Sequence, residues 1–120
     1  MEELVGAGVF YGTALTEAPA LRGEDVVVVG AGNSAGQAAR HLSRFARQVT
    51  LVARSQSLAE SMSEYLIGEL GTLENVTVRV GTGVVDAAGA GRLERVTLAV
   101  AGSGDRQTVP ATALFVLIGG

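Results

Sequence analysis

The stretch Asp25-Val-Val-Val-Val-Gly30-Ala-Gly-Asn-Ser-Ala35-Gly-Gln-Ala-Ala-Arg40-His-Leu42 decides the fold. Val26–Val29 is a continuous β-branched run. A strand that is apolar on both faces belongs inside a parallel sheet. From Ser34 to Arg47 the apolar residues recur at helical spacing. Ala35, Ala38, Ala39, Leu42, Phe45 and Ala46 share one face, and Gln37, Arg40, Ser43, Arg44 and Arg47 share the other. Alanine dominates the start of the apolar face, so the helix is expected to pack close to its sheet. A second apolar strand, Val49–Ala53, completes a β-α-β unit.

Downstream, the spacing predicts a helix over Ser57–Gly71. Ser57 and Glu60 have capping-box spacing, in which each side chain satisfies a free backbone N–H of the first turn. Leu58, Met62, Tyr65, Leu66 and Leu70 are expected as its buried stripe, and Gly71 as its left-handed terminator. After it the chain reads as β. Val76–Val80 alternates, Val84–Ala87 and Leu93–Val100 form a hairpin around Ala87–Arg92, and Thr108–Val109 adds a third antiparallel strand before Pro110. Leu114–Gly120 is an apolar strand running into glycines. Upstream, residues 1–24 read as a linker with a short strand at Val9–Tyr11, a segment poor at standing alone. The fold class is α/β: a three-layer, Rossmann-like, doubly wound parallel sheet with an antiparallel β-meander flap, its domain spanning residues 25–120.

The chain has 120 residues, 48% of them hydrophobic, which fits one folded domain with a single core. Aromatics are 4% and Trp is absent, so that core must be aliphatic. With no Cys, the chain has no disulfide, thiolate zinc site or thiol redox centre of its own. All nine basic residues are Arg, net charge is −3, and no basic block or aromatic platform points to nucleic acid. No apolar run approaches the ~20 residues of a membrane span. The acidic start Met1-Glu2-Glu3 does not resemble a signal peptide, and the expected compartment is cytoplasmic. His41 has no catalytic partner in sequence and reads as a surface or boundary residue, and no metal site is expected.

Gly30-Ala31-Gly32-Asn33-Ser34-Ala35 matches G-x-G-x-x-G/A. The first glycine permits a tight turn, the second lets a pyrophosphate approach the backbone, and a small third residue lets helix and strand pack closely. Free N–H groups at Asn33, Ser34 and Ala35, together with the helix dipole, favour a diphosphate. The context of strand, turn, helix and second strand makes this a dinucleotide site. FAD and NAD sites place an acid about 20 residues after the first glycine. Here no acid occurs between Asp25 and Glu60, and Ala53-Arg54-Ser55 stands at the strand end. An Arg would pair with a 2′-phosphate that a carboxylate would repel. NADP is therefore favoured, NAD stays open, and FAD in this turn is disfavoured.

The run from Gly8-Val-Phe-Tyr-Gly-Thr-Ala14 through Leu21–Ser55, with Leu114–Gly120, resembles the NADPH-binding domain of thioredoxin-reductase-like flavoproteins. These are FAD-dependent pyridine nucleotide-disulfide oxidoreductases. Gly32–Ala39 and Glu60–Leu66 further resemble a bacterial subgroup often fused to a cyclic-nucleotide-binding domain. The resemblance implies a domain inserted between two halves of an FAD domain, so the chain would be part of a larger flavoprotein. It maps the glycine turn onto Gly30, Gly32, Asn33, Ser34 and Ala35. The family's phosphate-binding His-Arg-Arg falls on Ala53, Arg54 and Ser55, and a further family Arg falls on Ala59, so only Arg54 is kept. The redox-active Cys-x-x-Cys falls on Gly12 and Leu15 and is lost.

What this implies is an NAD(P)H-binding domain that presents the nicotinamide to FAD on a separate domain. Arg54 and Ser55 would hold the adenosine end, and Ile118 and Gly119 would lie near the nicotinamide by position. Such a domain alone should bind its cofactor without turnover. The electron acceptor is unknown, and full-length relatives are often homodimers. Two alternatives stay open: a non-catalytic nucleotide sensor or interaction module, and electron transfer of the ferredoxin-NADP reductase type.

Overall fold

The computed structural model describes residues 8–11 and 20–117. The valine run is the strand β2, Asp25–Val29, with Val26, Val27 and Val28 all buried. Before it stands β1, Val9–Tyr11, and after it come α1, Asn33–Leu42, and β3, Gln48–Val52. Then follow α2, Glu64–Thr72, and the strands β4, Val76–Arg79; β5, Thr82–Ala88; β6, Arg95–Val100; β7, Arg106–Pro110; and β8, Ala113–Val116. Strands β1, β8, β2, β3 and β4 form one parallel sheet in that order, and β5–β7 form an antiparallel sheet.

Alternation along the parallel strands sorts the core into two faces. Val26, Val28, Val49, Leu51, Ala113 and Phe115 pack with the buried residues of α1 and α2. Val9, Val27, Val52 and Leu114 pack with Leu93, Val96 and Leu98 of the meander. The three layers are thus helices, parallel sheet and meander, and the expected flap forms the third layer. The crossovers from β2 to β3 and from β3 to β4 put both helices on one face, as crossovers of a single hand must. The chain then crosses the other face through β5–β7 and returns as β8 on the opposite side of β2 from β3. Strand order therefore reverses at β2, and in open α/β sheets ligands bind at such a reversal, outside the carboxyl ends of the strands.

Close packing of the helices depends on Gly36. A β-carbon there would lie 2.5 Å from Leu66 Cδ2 and 2.8 Å from Met62 Sδ. The C-terminal end of α1 is tied down from a distance: Asn75 Nδ2 donates to the carbonyls of Ser43 at 2.8 Å and Ala46 at 3.1 Å. Arg40 pairs with Glu69 across α1 and α2 at 2.7 Å. Arg47 pairs with Asp25, whose hydrogen bond and charge hold the guanidinium above its usual range.

Four expectations need correction. Ser57–Gly71 is not one helix: a 3-10 turn, Leu58–Glu60, precedes a separate α2 that Ser63 caps by accepting from the Leu66 amide. Ser57 accepts from the Ala59 amide, so its cap serves the short turn. Gly71 lies within α2 without a positive φ, and Leu73 ends the helix in an extended conformation. Tyr65 is 75% exposed while Leu58, Met62, Leu66 and Leu70 are buried. With α2 starting at Glu64, its buried stripe runs through Leu66 and Leu70, and Tyr65 falls on the flank facing solvent. The first helix is also shorter than expected, passing into turns after Leu42. His41 is half-buried with its ring 5.5 Å from that of Phe45.

Candidate functional site

At the carboxyl end of β2 the chain turns through Gly30 and enters α1 with Gly32 as N-cap. Gly30 has φ +154°, and a β-carbon there would lie 2.6 Å from the Leu117 carbonyl oxygen and 2.8 Å from Ala35 Cβ. The turn therefore excludes any side chain at Gly30, whose α-carbon packs against the buried Ala35 methyl. Gly32 is different. Its φ of −85° and ψ of 178° suit any residue, and nothing lies within 4 Å of a β-carbon built on it. Neither strain nor packing within the protein asks for glycine there.

The first amides of a helix have no intrahelical partner. Gly32 brings no side chain to cap them, and the first turn of α1 contains no acid. The helix dipole reinforces the positive potential of these N–H groups. Around them is a cleft of about 500 Å³, bordered by the Gly30–Ser34 turn, Arg54, Ser55, Ser61 and Leu117. Arg54 is the one ionisable side chain lining it among the described residues. The end of β3 thus faces the glycine turn across the cleft with a cation and no carboxylate. Uncapped amides, an open β-carbon position at Gly32 and Arg54 opposite suit a dianionic, elongated ligand such as the diphosphate of a dinucleotide.

The sites expected from sequence are partly brought together. Gly30, Gly32, Asn33, Ser34, Arg54 and Ser55 border one cleft, and Ala35 lies beneath Gly30. The Asn33 side chain is already engaged: its Oδ1 accepts from the Ser63 amide at 2.8 Å, which leaves the Asn33 backbone N–H for a ligand. The Ser55 hydroxyl donates to the Ser57 carbonyl at 3.2 Å. Ile118 and Gly119, like Gly12 and Leu15, lie outside the described residues. Ser61 was not foreseen. It donates its hydroxyl to the Ala31 carbonyl at 2.9 Å and so fastens the segment before α2 onto the glycine turn. No spacing rule links residues so far apart.

Among the described residues no helix is long and apolar enough to cross a membrane. The pyridine nucleotide-disulphide oxidoreductase family model matches residues 6–120. The chain is 32% identical over 118 residues to a bifunctional thioredoxin reductase/thioredoxin of Mycobacterium leprae, covering 98% of this chain and 25% of that protein. It is 37% identical over 97 residues to a ferredoxin–NADP reductase of Frankia casuarinae, covering 81% of this chain and 29% of that protein. The crystal structure of thioredoxin reductase from Lactococcus lactis superposes with a TM-score of 0.91 at 23% identity, over 98% of this chain and 38% of that one, a likeness of fold. The chain thus spans well under half the length of these relatives. With a family match over nearly its whole length, the chain belongs to the pyridine nucleotide-disulphide oxidoreductases and is thioredoxin-reductase-like.

Proposed function

We propose that this chain is the NAD(P)H-binding domain of a flavin-dependent oxidoreductase, with NADP preferred and FAD carried by a separate domain of a larger protein. One observation carries the reading: Gly32 lacks a side chain where neither backbone conformation nor packing forbids one. The space is left on the cleft side, above uncapped helix amides, where a pyrophosphate would need to approach. In this assignment the amides of Asn33, Ser34 and Ala35 bind the diphosphate. Arg54, with Ser55 beside it, pairs with a 2′-phosphate at the adenosine end. Ile118 and Gly119, which follow Leu117 in sequence, are assigned to the nicotinamide end by that position alone. The bound nucleotide supplies a hydride from its nicotinamide ring, and this chain's part is to grip and orient it. The isolated domain therefore binds and does not turn over.

The loss of the dithiol favours a second reading of the whole protein. With no Cys in the chain, a flavin could not pass electrons to a disulfide here. They would leave through a carrier of the ferredoxin type, named in the Frankia relative, or the fold would serve as a nucleotide sensor. The subgroup likeness adds a cyclic-nucleotide-binding domain as a candidate fusion partner. Titration with NADPH and NADH tests the common core of these readings. Saturable binding with NADPH preferred is expected, and absence of binding to either sinks the assignment. Sequence flanking residues 1–120 then separates the two: a second glycine motif followed by an acid after its second strand means a flavin domain.

A further inference from the structure

Arg54 has no carboxylate partner among the described residues, so something other than an ion pair must aim it. Its backbone neighbours are fixed. The Ala53 amide donates to the Arg79 carbonyl at 2.9 Å, and the carbonyls of Ala53 and Ser55 accept from the amides of Thr82 at 3.0 Å and Gly81 at 2.8 Å. The start of β5 therefore runs beside residues 53–55, and the Arg54 side chain lies over Gly83. A β-carbon on Gly83 would stand 3.3 Å from Arg54 Nε, 3.8 Å from Cγ and 3.9 Å from Cζ.

Gly83 pairs with Ala99 inside the β5–β6 ladder and has no positive φ, so its own backbone does not call for glycine. Glycine inside a strand weakens it, and one use of that cost is close approach by another group. Gly83 is not in the cleft wall. A β-carbon there would already press on the guanidinium stem, and a branched side chain would take up the space the stem occupies. We infer that Gly83 is a positioning residue for dinucleotide specificity: its missing side chain lets Arg54 lie along β5 with its guanidinium at the adenosine end of the cleft. The inference rests on the assignment of Arg54 to a 2′-phosphate. It extends that assignment to a residue in the meander, outside the glycine turn and the β3 end.

The experiment is a double-mutant cycle on the 120-residue chain, read by calorimetric titration with NADPH and NADH for Gly83→Val, Arg54→Gln and the double variant. Gly83→Val should cut the NADPH:NADH affinity ratio about tenfold with NADH affinity kept within about twofold. Combined with Arg54→Gln it should add little, because both changes remove one interaction. A merely structural role would lower both affinities together, and that result, an unchanged ratio or additive effects overturns the inference. Gly83→Ala guards against misfolding: its β-carbon, 3.3 Å from Arg54 Nε, would shift the stem by only a few tenths of an ångström, so it should lower the ratio about two- to threefold, and an unchanged ratio here counts equally against the inference. If Arg54→Gln itself leaves the ratio at the parent value, the 2′-phosphate assignment fails and this inference with it. If Arg54→Gln lowers the ratio and Gly83→Val does not, only the inference fails.

Discussion

The methyl group of Ala35 sits where a side chain on Gly30 would need room: a β-carbon on Gly30 would fall 2.8 Å from Ala35 Cβ and 2.6 Å from the Leu117 carbonyl oxygen. The first glycine of the turn is therefore a requirement of the fold, held between α1 and the end of β8. Gly30→Ala forces either α1 or residue 117 to move, and overpacking of this kind costs about 1–3 kcal/mol. A urea unfolding midpoint lowered to match is the expected result. An unchanged midpoint would mean that the turn relaxes freely and that sterics do not explain this glycine.

Gly32, two residues on, separates fold from ligand. It is the N-cap of α1, with an extended backbone and open space around its β-carbon position. Serine is a better N-cap than glycine by a few tenths of a kcal/mol, because its hydroxyl accepts from a first-turn amide. Gly32→Ser should therefore leave thermal stability unchanged or slightly raised. The same hydroxyl and β-carbon would occupy the pyrophosphate's approach and engage its donors, so affinity for NADPH and NADH should fall together, by about tenfold or more. A variant that melts like the parent and still binds both nucleotides normally removes the diphosphate from this turn.

The part of the site that reads from sequence is the part built by neighbours in sequence. The Val26–Val29 run, the glycine turn and the alanine face of α1 lie within one β-α unit, and strand burial and turn geometry follow from residue type alone. The doubly wound parallel sheet with its antiparallel flap is legible too, because the order of elements admits few right-handed arrangements, whereas the reversal of strand order at β2 comes from the structure. The expected single helix over Ser57–Gly71 fails because long-range bonds decide that segment. Ser57 has capping-box spacing, but the Ser61–Ala31 and Ser63–Asn33 hydrogen bonds fasten the segment before Glu64 to the glycine turn and the start of α1, and Ser63 caps α2. Gly83 carried no local signal at all, since its reason lies in the Arg54 side chain across from it.

Among the described residues Arg54 alone supplies positive side-chain charge to the cleft, and the resemblance puts the family's other basic positions on Ala53, Ser55 and Ala59. One exposed guanidinium should give a modest preference for NADPH over NADH. Reversing its charge sets a carboxylate where NAD-type sites carry an acid, which repels a 2′-phosphate and can accept from ribose hydroxyls. Arg54→Glu should lower NADPH affinity about tenfold or more and leave or raise that for NADH, so the order of the two inverts. The parent's preference should also shrink with added salt, as exposed charge pairs are screened. Equal affinities before and after the change would take Arg54 out of the site.

Asn33 gives a sharper test, because its two roles can be split. Its side-chain oxygen accepts from the Ser63 amide at 2.8 Å and holds the start of α2 to the start of α1. Its backbone amide is one of those assigned to the diphosphate. Asn33→Asp keeps the acceptor oxygen and the shape, and places a negative charge on the first turn of a helix, which is stabilising by about 0.3–1 kcal/mol. The fold should therefore hold or gain. Binding should weaken for NADPH and NADH alike, since the new charge stands beside the phosphates, and the loss should lessen as salt rises. Asn33→Ala should do the reverse: with the Ser63 amide unpartnered, stability falls by about 1 kcal/mol, while no charge opposes the ligand. Thermal melts and titrations of the two variants should thus rank them in opposite orders. If Asn33→Asp binds as tightly as the parent at low salt, no diphosphate lies at the start of α1.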